Sequence, residues 1–334
     1  MEGRGAMSAS FSYFLNAHFL STFTKKNQKG EKSVRKINAV FEGGGVKGIA
    51  FAGAITEFEQ RGFSWRRVAG TSAGAIVASL VAAGYRADEL NGLMKEFDYM
   101  ALQKKQGIAR IPGIGPWLNL WMKKGIYSAD YLYNWMDIHL AAKNIRVFGD
   151  LPPNTLKVIA SDITDGRLLV LPDDAERIGL CPQSLSIALA VRMSASLPFY
   201  FEPVIVQRKG MPVYIVDGGI LSRFPLWLFE DDNESHYPTI GFRLSAGYET
   251  KPYGIHTLPE YMNAMVKTMI QAHDQRYIDK QHAARTVFIP TEGIPAAKFD
   301  ITEVEREWLY QSGIAAAKQF MGRMHLLRLK RKTS

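Results

Sequence analysis

KINAVFEGGGVKG (Lys36–Gly48) and GTSAG (Gly70–Gly74) are the two stretches from which the architecture can be read. Lys36–Phe41 has the composition of a buried strand, and the glycines after it lead into a helix whose inner face carries Phe51, Ile55 and Phe58. Gly62 stops that helix. Ser64–Ala69 predicts a second short strand, and Ser72 opens an Ala-rich helix that Gly84 closes. A strand, a tight turn and a helix, twice in succession, predict an α/β fold built on a mixed, mainly parallel central sheet.

Both turns have chemical potential. The glycines of Gly43–Gly48 leave backbone N–H groups open to an oxyanion, and G-x-S-x-G forces a serine into a sharp strand-to-helix elbow with its hydroxyl exposed. The first turn also satisfies G-x-G-x-x-G, the dinucleotide fingerprint. That reading expects an acidic residue at the end of the second strand, and the strand ends instead in Val68-Ala69-Gly70 with Ser72 directly behind it. No G-x-x-x-x-G-K-[ST] phosphate loop occurs. A third feature tips the balance: Val213–Val216 reads as a strand that ends on Asp217-Gly218-Gly219, placing a carboxylate at a strand terminus followed by a flexible turn.

These residues resemble the patatin-like phospholipases. The similarity rests on GGGVKG, GTSAG and DGG in order, and on the intervening FGDLP (Phe148–Pro152), IASD (Ile159–Asp162) and RMSASLP (Arg192–Pro198). It covers roughly Lys36–Leu244. The resemblance implies a three-layer α/β/α fold with a nucleophile elbow. It also implies a Ser-Asp dyad without histidine, in which Ser72 is the nucleophile and Asp217 the base. Gly43, Gly44 and Gly45 are the implied oxyanion donors, Lys47 occupies a position that is usually basic, and Gly70 and Gly74 shape the elbow. The implied activity is lipid acyl hydrolysis on a glycerolipid or phospholipid, with no cofactor and no metal. A conventional triad would draw on His236, His256, His273, His282 or His325, none of which lies in a recognisable turn signature.

The rest of the chain reads as scaffold with one exception. Leu90, Leu93, Met94 and Phe97 form the apolar stripe of a third helix, and Asp165-Gly166 turns a hairpin between Leu156–Ala160 and Leu168–Leu171. Asp162 and Asp165 accordingly read as turn residues. Val204–Val206 pairs with Val213–Val216, Thr239–Leu244 and Thr286–Ile289 are strands, and Leu258–Ala284 and Thr302–Met324 are helical. The exception is Gln103–Gly125, where glycines and prolines alternate with Ile108, Ile111, Ile114, Trp117, Leu118 and Trp121. It predicts a long loop that serves as a lid, a lipid-facing segment or an acyl pocket wall, or else packs onto the core.

Composition bounds the location. One cysteine, Cys181, excludes an internal disulfide and favours a reducing, cytoplasmic setting. A net charge of +9 suits an anionic partner, and basic residues crowd both ends of the chain, Lys25–Lys36 and Arg323–Lys332. This points to peripheral contact with an anionic membrane and supports an alternative, a membrane-binding regulatory protein in which hydrolysis is incidental. Nucleic acid is disfavoured because the basic residues are not interleaved with stacking aromatics. The aromatic segment Phe11–Phe23 lacks the basic start and cleavage site of a secretion signal. Residues 1–35 therefore read as a leader or interfacial segment, and residues 36–334 as one catalytic domain with a basic C-terminal helix.

Overall fold

A computed structural model describes residues 35–104, 107–111, 114–229, 237–245, 254–258 and 280–333, with 260–262, 264–265 and 268 between them. Apart from Arg35, the segment 1–35 lies outside the described residues, as do His236 and His273.

The chain starts with β1 (Arg35–Phe41), helix α1 (Ile49–Gln60), β2 (Phe63–Thr71) and helix α2 (Ala73–Ala82), as the glycine punctuation predicts. Helix α3 (Ala87–Glu96) follows, and then helix α4 (Gly115–Lys123), β3 (Gly125–Tyr127) and helix α5 (Asp130–Ala142). Strands β4 (Leu156–Asp162) and β5 (Arg167–Leu171) form the expected hairpin, with Asp162 opposite Arg167. Asp162 Oδ1 accepts the N–H groups of Thr164 and Asp165, so the carboxylate closes the turn as the sequence suggests. Helix α6 (Ile187–Ser194) leads to β6 (Phe199–Phe201), β7 (Val204–Arg208), β8 (Met211–Asp217) and β9 (Thr239–Ser245). Helix α7 (Lys280–Ala284), β10 (Thr286–Pro290) and helix α8 (Glu303–Thr333) complete the chain.

The main sheet runs β10-β9-β1-β2-β4-β8-β7, and β5 also pairs with β4. The pairings from β10 through β4 are parallel; β5, β8 and β7 are joined antiparallel. This is the mixed, mainly parallel sheet expected of the sequence. Its central strands are mostly apolar because both faces are covered, and Ile37, Ala39, Val40, Phe41, Val158, Ile159 and Ala160 are all fully buried, with Asn38 of β1 buried among them. Phe41, Phe58, Trp65 and Phe242 pack edge to face, stacked or tilted against one another.

One register detail positions everything that follows. Val158 and Ile159 of β4 pair with β2 and with β5, so those two strands lie on opposite edges of β4; Ala160–Asp162 pair with β5 and with β8. Strands β2 and β8 therefore share a single edge of β4, end to end and pointing at each other. Thr71, the last residue of β2, lies opposite Ile159, and Asp217, the last residue of β8, lies opposite Ala160. The two C-termini meet head on.

Two departures from the sequence reading concern helices. Within the expected loop Gln103–Gly125 the chain forms helix α4, started by Pro116 in its first turn and carried by Trp117–Lys123. Helix α8 extends to Thr333, well past the expected end near Met324. It crosses α1 at very short range: a Cβ on Gly53 would sit 1.9 Å from the Tyr310 carbonyl oxygen, and one on Gly313 would sit 1.9 Å from that of Ala50. Thr56 Oγ1 and the Tyr310 hydroxyl, 3.0 Å apart, fix the crossing. An alanine in a helix is ordinarily worth about 1 kcal/mol over glycine, but here it must push two backbones apart, at a cost of about 1–3 kcal/mol. Gly313→Ala is accordingly expected to lower the unfolding midpoint in a thermal melt; a rise would show that the crossing is not tight.

Candidate active site

Ser72 stands where β2 ends and α2 begins, with φ 54° and ψ −121°. A side chain other than glycine pays for positive φ, and the surroundings enforce it. The Ser72 N–H donates to Ser194 Oγ at 2.8 Å, and that hydroxyl in turn donates to the Ile159 carbonyl of β4. Gly70 and Gly74 are required by close approach. A Cβ on Gly70 would lie 2.2 Å from the Gly74 carbonyl, and one on Gly74 would lie 2.2 Å from the Phe41 carbonyl. The elbow is thus folded tightly against β1 and β4, leaving its serine at the tip.

Asp217 faces it. The head-on meeting of β2 and β8 sets Ser72 against the Asp217 carboxylate. Burial pushes the Asp217 carboxyl up to about 6, against the opposing pull of the Gly219 N–H, the Ser72 hydroxyl and the Arg223 charge. The Gly219 N–H donates to Oδ1 at 2.7 Å, and the Asp217 N–H donates to the Ser196 carbonyl at 2.9 Å. Gly218 lets the chain leave the strand directly over β4, since a Cβ there would meet the Ile159 carbonyl at 2.3 Å. Among the described residues, no histidine is one of the groups acting on Asp217.

The glycine turn flanks this pair. A Cβ on Gly43 would lie 3.4 Å from the Ser72 Cβ, so the turn runs alongside the elbow. Among the described residues, the backbone N–H groups of Gly44, Gly45 and Ala73 make no hydrogen bond, and Ala73 is the first residue of α2, where a helix presents unpaired donors and positive potential. Gly43 differs from the sequence expectation. Its N–H donates to the Arg223 carbonyl at 3.0 Å, which takes it out of the set of open donors. Lys47 is buried beside the turn within the short 3-10 segment Gly45–Gly48.

Three residues of the site escaped the sequence reading. Arg223 Nε donates back to the Gly43 carbonyl at 2.8 Å, so one arginine grips both backbone groups of that glycine. Glu42, fully buried, accepts the Leu244 N–H at 2.6 Å and lies 3.6 Å from Arg223 and 3.5 Å from Arg243. Ser194 holds the elbow as described. Ser194 was legible in principle, since it falls inside the RMSASLP segment; Arg223 and Glu42 act through contacts about 180 and 200 residues away in sequence, which no local pattern encodes.

A family model described as patatin-like phospholipase matches residues 39–229. The chain is 39% identical over 286 residues to the uncharacterized protein YqhO of Bacillus subtilis (strain 168), covering 85% of this chain and 98% of that one. It is 27% identical over 295 residues to the uncharacterized protein R571 of Acanthamoeba polyphaga mimivirus, covering 84% and 92% respectively. Among solved structures, VipD from Legionella pneumophila superimposes with a TM-score of 0.51 at 18% identity, over 86% of this chain and 66% of that chain. That likeness is one of fold.

Proposed function

The chain belongs to the patatin-like phospholipase family, and from that premise we propose that it hydrolyses acyl esters of lipids through a Ser72-Asp217 dyad. Family membership supports a lipid hydrolase in general; the dyad is our reading of the site. The observation that carries it is the strained serine at a strand-to-helix elbow, set against a buried aspartate by the shared edge of β4 and beside open backbone donors.

In this reading Ser72 Oγ attacks the ester carbonyl carbon while its proton passes to the Asp217 carboxylate. The oxyanion that develops is met by the N–H groups of Gly44, Gly45 and Ala73 and by the N-terminal end of α2. Collapse of the tetrahedral intermediate breaks the bond to the leaving alcohol, which takes the proton back from Asp217. Water then attacks the acyl-serine, gives a proton to Asp217, and the fatty acid departs as Oγ recovers that proton. Arg223 and Glu42 hold the glycine turn in register, and Ser194 holds the elbow. Lipid is the substrate class that the family implies. We infer a peripheral association with membranes, and among the described residues no helix is long and apolar enough to cross one.

The protonation state of Asp217 makes this testable. A base must be unprotonated, so a carboxyl raised to about 6 predicts that kcat/KM on a soluble ester climbs about tenfold per pH unit below that value and levels off above it. A profile flat from about pH 4.5 to 8 would show that Asp217 is not the base.

A further inference from the structure

Helix α4 has its faces reversed. Gly115 and Asn119, one turn apart, point inward and are buried, with Asn119 Nδ2 donating to the Gly125 carbonyl at 2.9 Å and to the Glu202 carboxylate at 3.1 Å. The outward side carries Trp117, Leu118, Trp121 and Met122, with Ile114 just before the helix, and Trp121 is 77% exposed. A helix that faces water presents its polar residues outward. Phe199, also exposed, and Met262 extend the apolar surface from two other segments. A cavity of about 730 Å³ opens between α4 and these segments, lined by Trp121, Met122, Lys124, Phe199 and Met262 among others.

The charge pattern names the partner. From Tyr99 to Ala129 the sequence has no aspartate or glutamate, while Lys104, Lys105, Arg110, Lys123 and Lys124 are all basic. Lys123 lies 3.2 Å from Glu202, which approaches from a neighbouring segment. Tryptophan, leucine and methionine on one face with lysines at the margin match the demands of a bilayer interface, where indole rings settle at headgroup depth and cations meet anionic lipid. The surface is also wired to the site: Ser194 holds Ser72, Ser196 holds Asp217, and the chain reaches Phe199 three residues later.

We propose that the outer face of α4, with Phe199 and Met262, docks the protein on an anionic lipid bilayer. This rests on the lipid hydrolase reading for its purpose, but the docking is tested without it. The full-length protein is mixed with vesicles of phosphatidylcholine containing about 30 mol% phosphatidylglycerol, and bound protein is measured by sedimentation and by the blue shift of tryptophan emission. A Trp117→Ser/Trp121→Ser variant is compared with Trp117→Phe/Trp121→Phe, and all three are assayed on a short-chain ester below its micellar concentration. The expected result is binding that weakens with salt, falls at least about tenfold in the serine variant and less than about threefold in the phenylalanine variant, with soluble-ester hydrolysis and melting midpoint kept in both. Wild-type binding by the serine variant, equal loss in both variants, or no binding by the parent protein would overturn the docking surface. So would self-association in lipid-free buffer that the serine pair abolishes, since a second copy would then be the partner. Vesicle binding by a protein inactive on the soluble ester would instead contradict the hydrolase reading and leave the docking intact.

Discussion

Ser72→Ala is expected to lower hydrolysis of a short-chain ester by at least about 10⁴-fold, because removing a nucleophile leaves only the contribution of the oxyanion donors and of binding. The loss should come without loss of fold. Alanine meets the same backbone penalty as serine at φ 54°, and the bond that fixes the elbow is made by the Ser72 N–H, which the substitution keeps. Glycine makes a useful contrast. Ser72→Gly relieves the positive-φ cost, of order 1 kcal/mol, so that variant should be equally inactive yet melt higher than the parent. Activity within about a hundredfold of the parent in either purified variant would remove Ser72 from the chemistry.

Asp217→Asn should reduce turnover by at least about 10³-fold, since an amide cannot accept the serine proton. Its effect on stability runs the other way. The folded Asp217 carboxyl titrates at about 6 where the ordinary value is 3.8, so between those values the folded state holds a proton that the unfolded state has released. Stability therefore falls as pH rises through this window, and above about 6 the buried carboxylate costs on the order of 3 kcal/mol. Asparagine carries no charge to bury, and its side-chain oxygen still accepts the Gly219 N–H. The variant should melt several degrees above the parent at about pH 8, with the gain vanishing toward about pH 4. Calorimetry at both values checks this: a midpoint lowered at pH 8 would mean that the carboxylate is a net stabiliser and that its environment is not the desolvating one described.

The parts of this molecule that the sequence discloses are those built from neighbours in the chain. Gly70 and Gly74 announce the elbow because only glycine tolerates a Cβ-free approach of 2.2 Å to adjacent backbone, and the glycines between Gly43 and Gly48 announce the turn beside it. Asp217 could be picked out because Gly218 and Gly219 follow a strand. What brings Ser72 and Asp217 together, however, is that β2 and β8 share one edge of β4, a pairing made across some 145 residues of chain that periodicity does not record. The use of the Gly43 N–H by Arg223 is equally non-local, which is why Gly43 reads as an oxyanion donor in sequence and as an anchored residue in the fold. Helix α4 was missed for a different reason. Its apolar residues lie on the outward face, so the usual signature of a core-facing stripe points the wrong way, and the prolines and glycines around it suggest a loop.

The nucleophile assignment is tested most directly by reacting the purified protein with a serine-directed fluorophosphonate and mapping the adduct by mass spectrometry. The expected result is a single modified peptide containing Ser72, with labelling absent in Ser72→Ala and slowed in Asp217→Asn. Labelling of another residue, or undiminished labelling of Ser72→Ala, would contradict the assignment of Ser72 as the nucleophile.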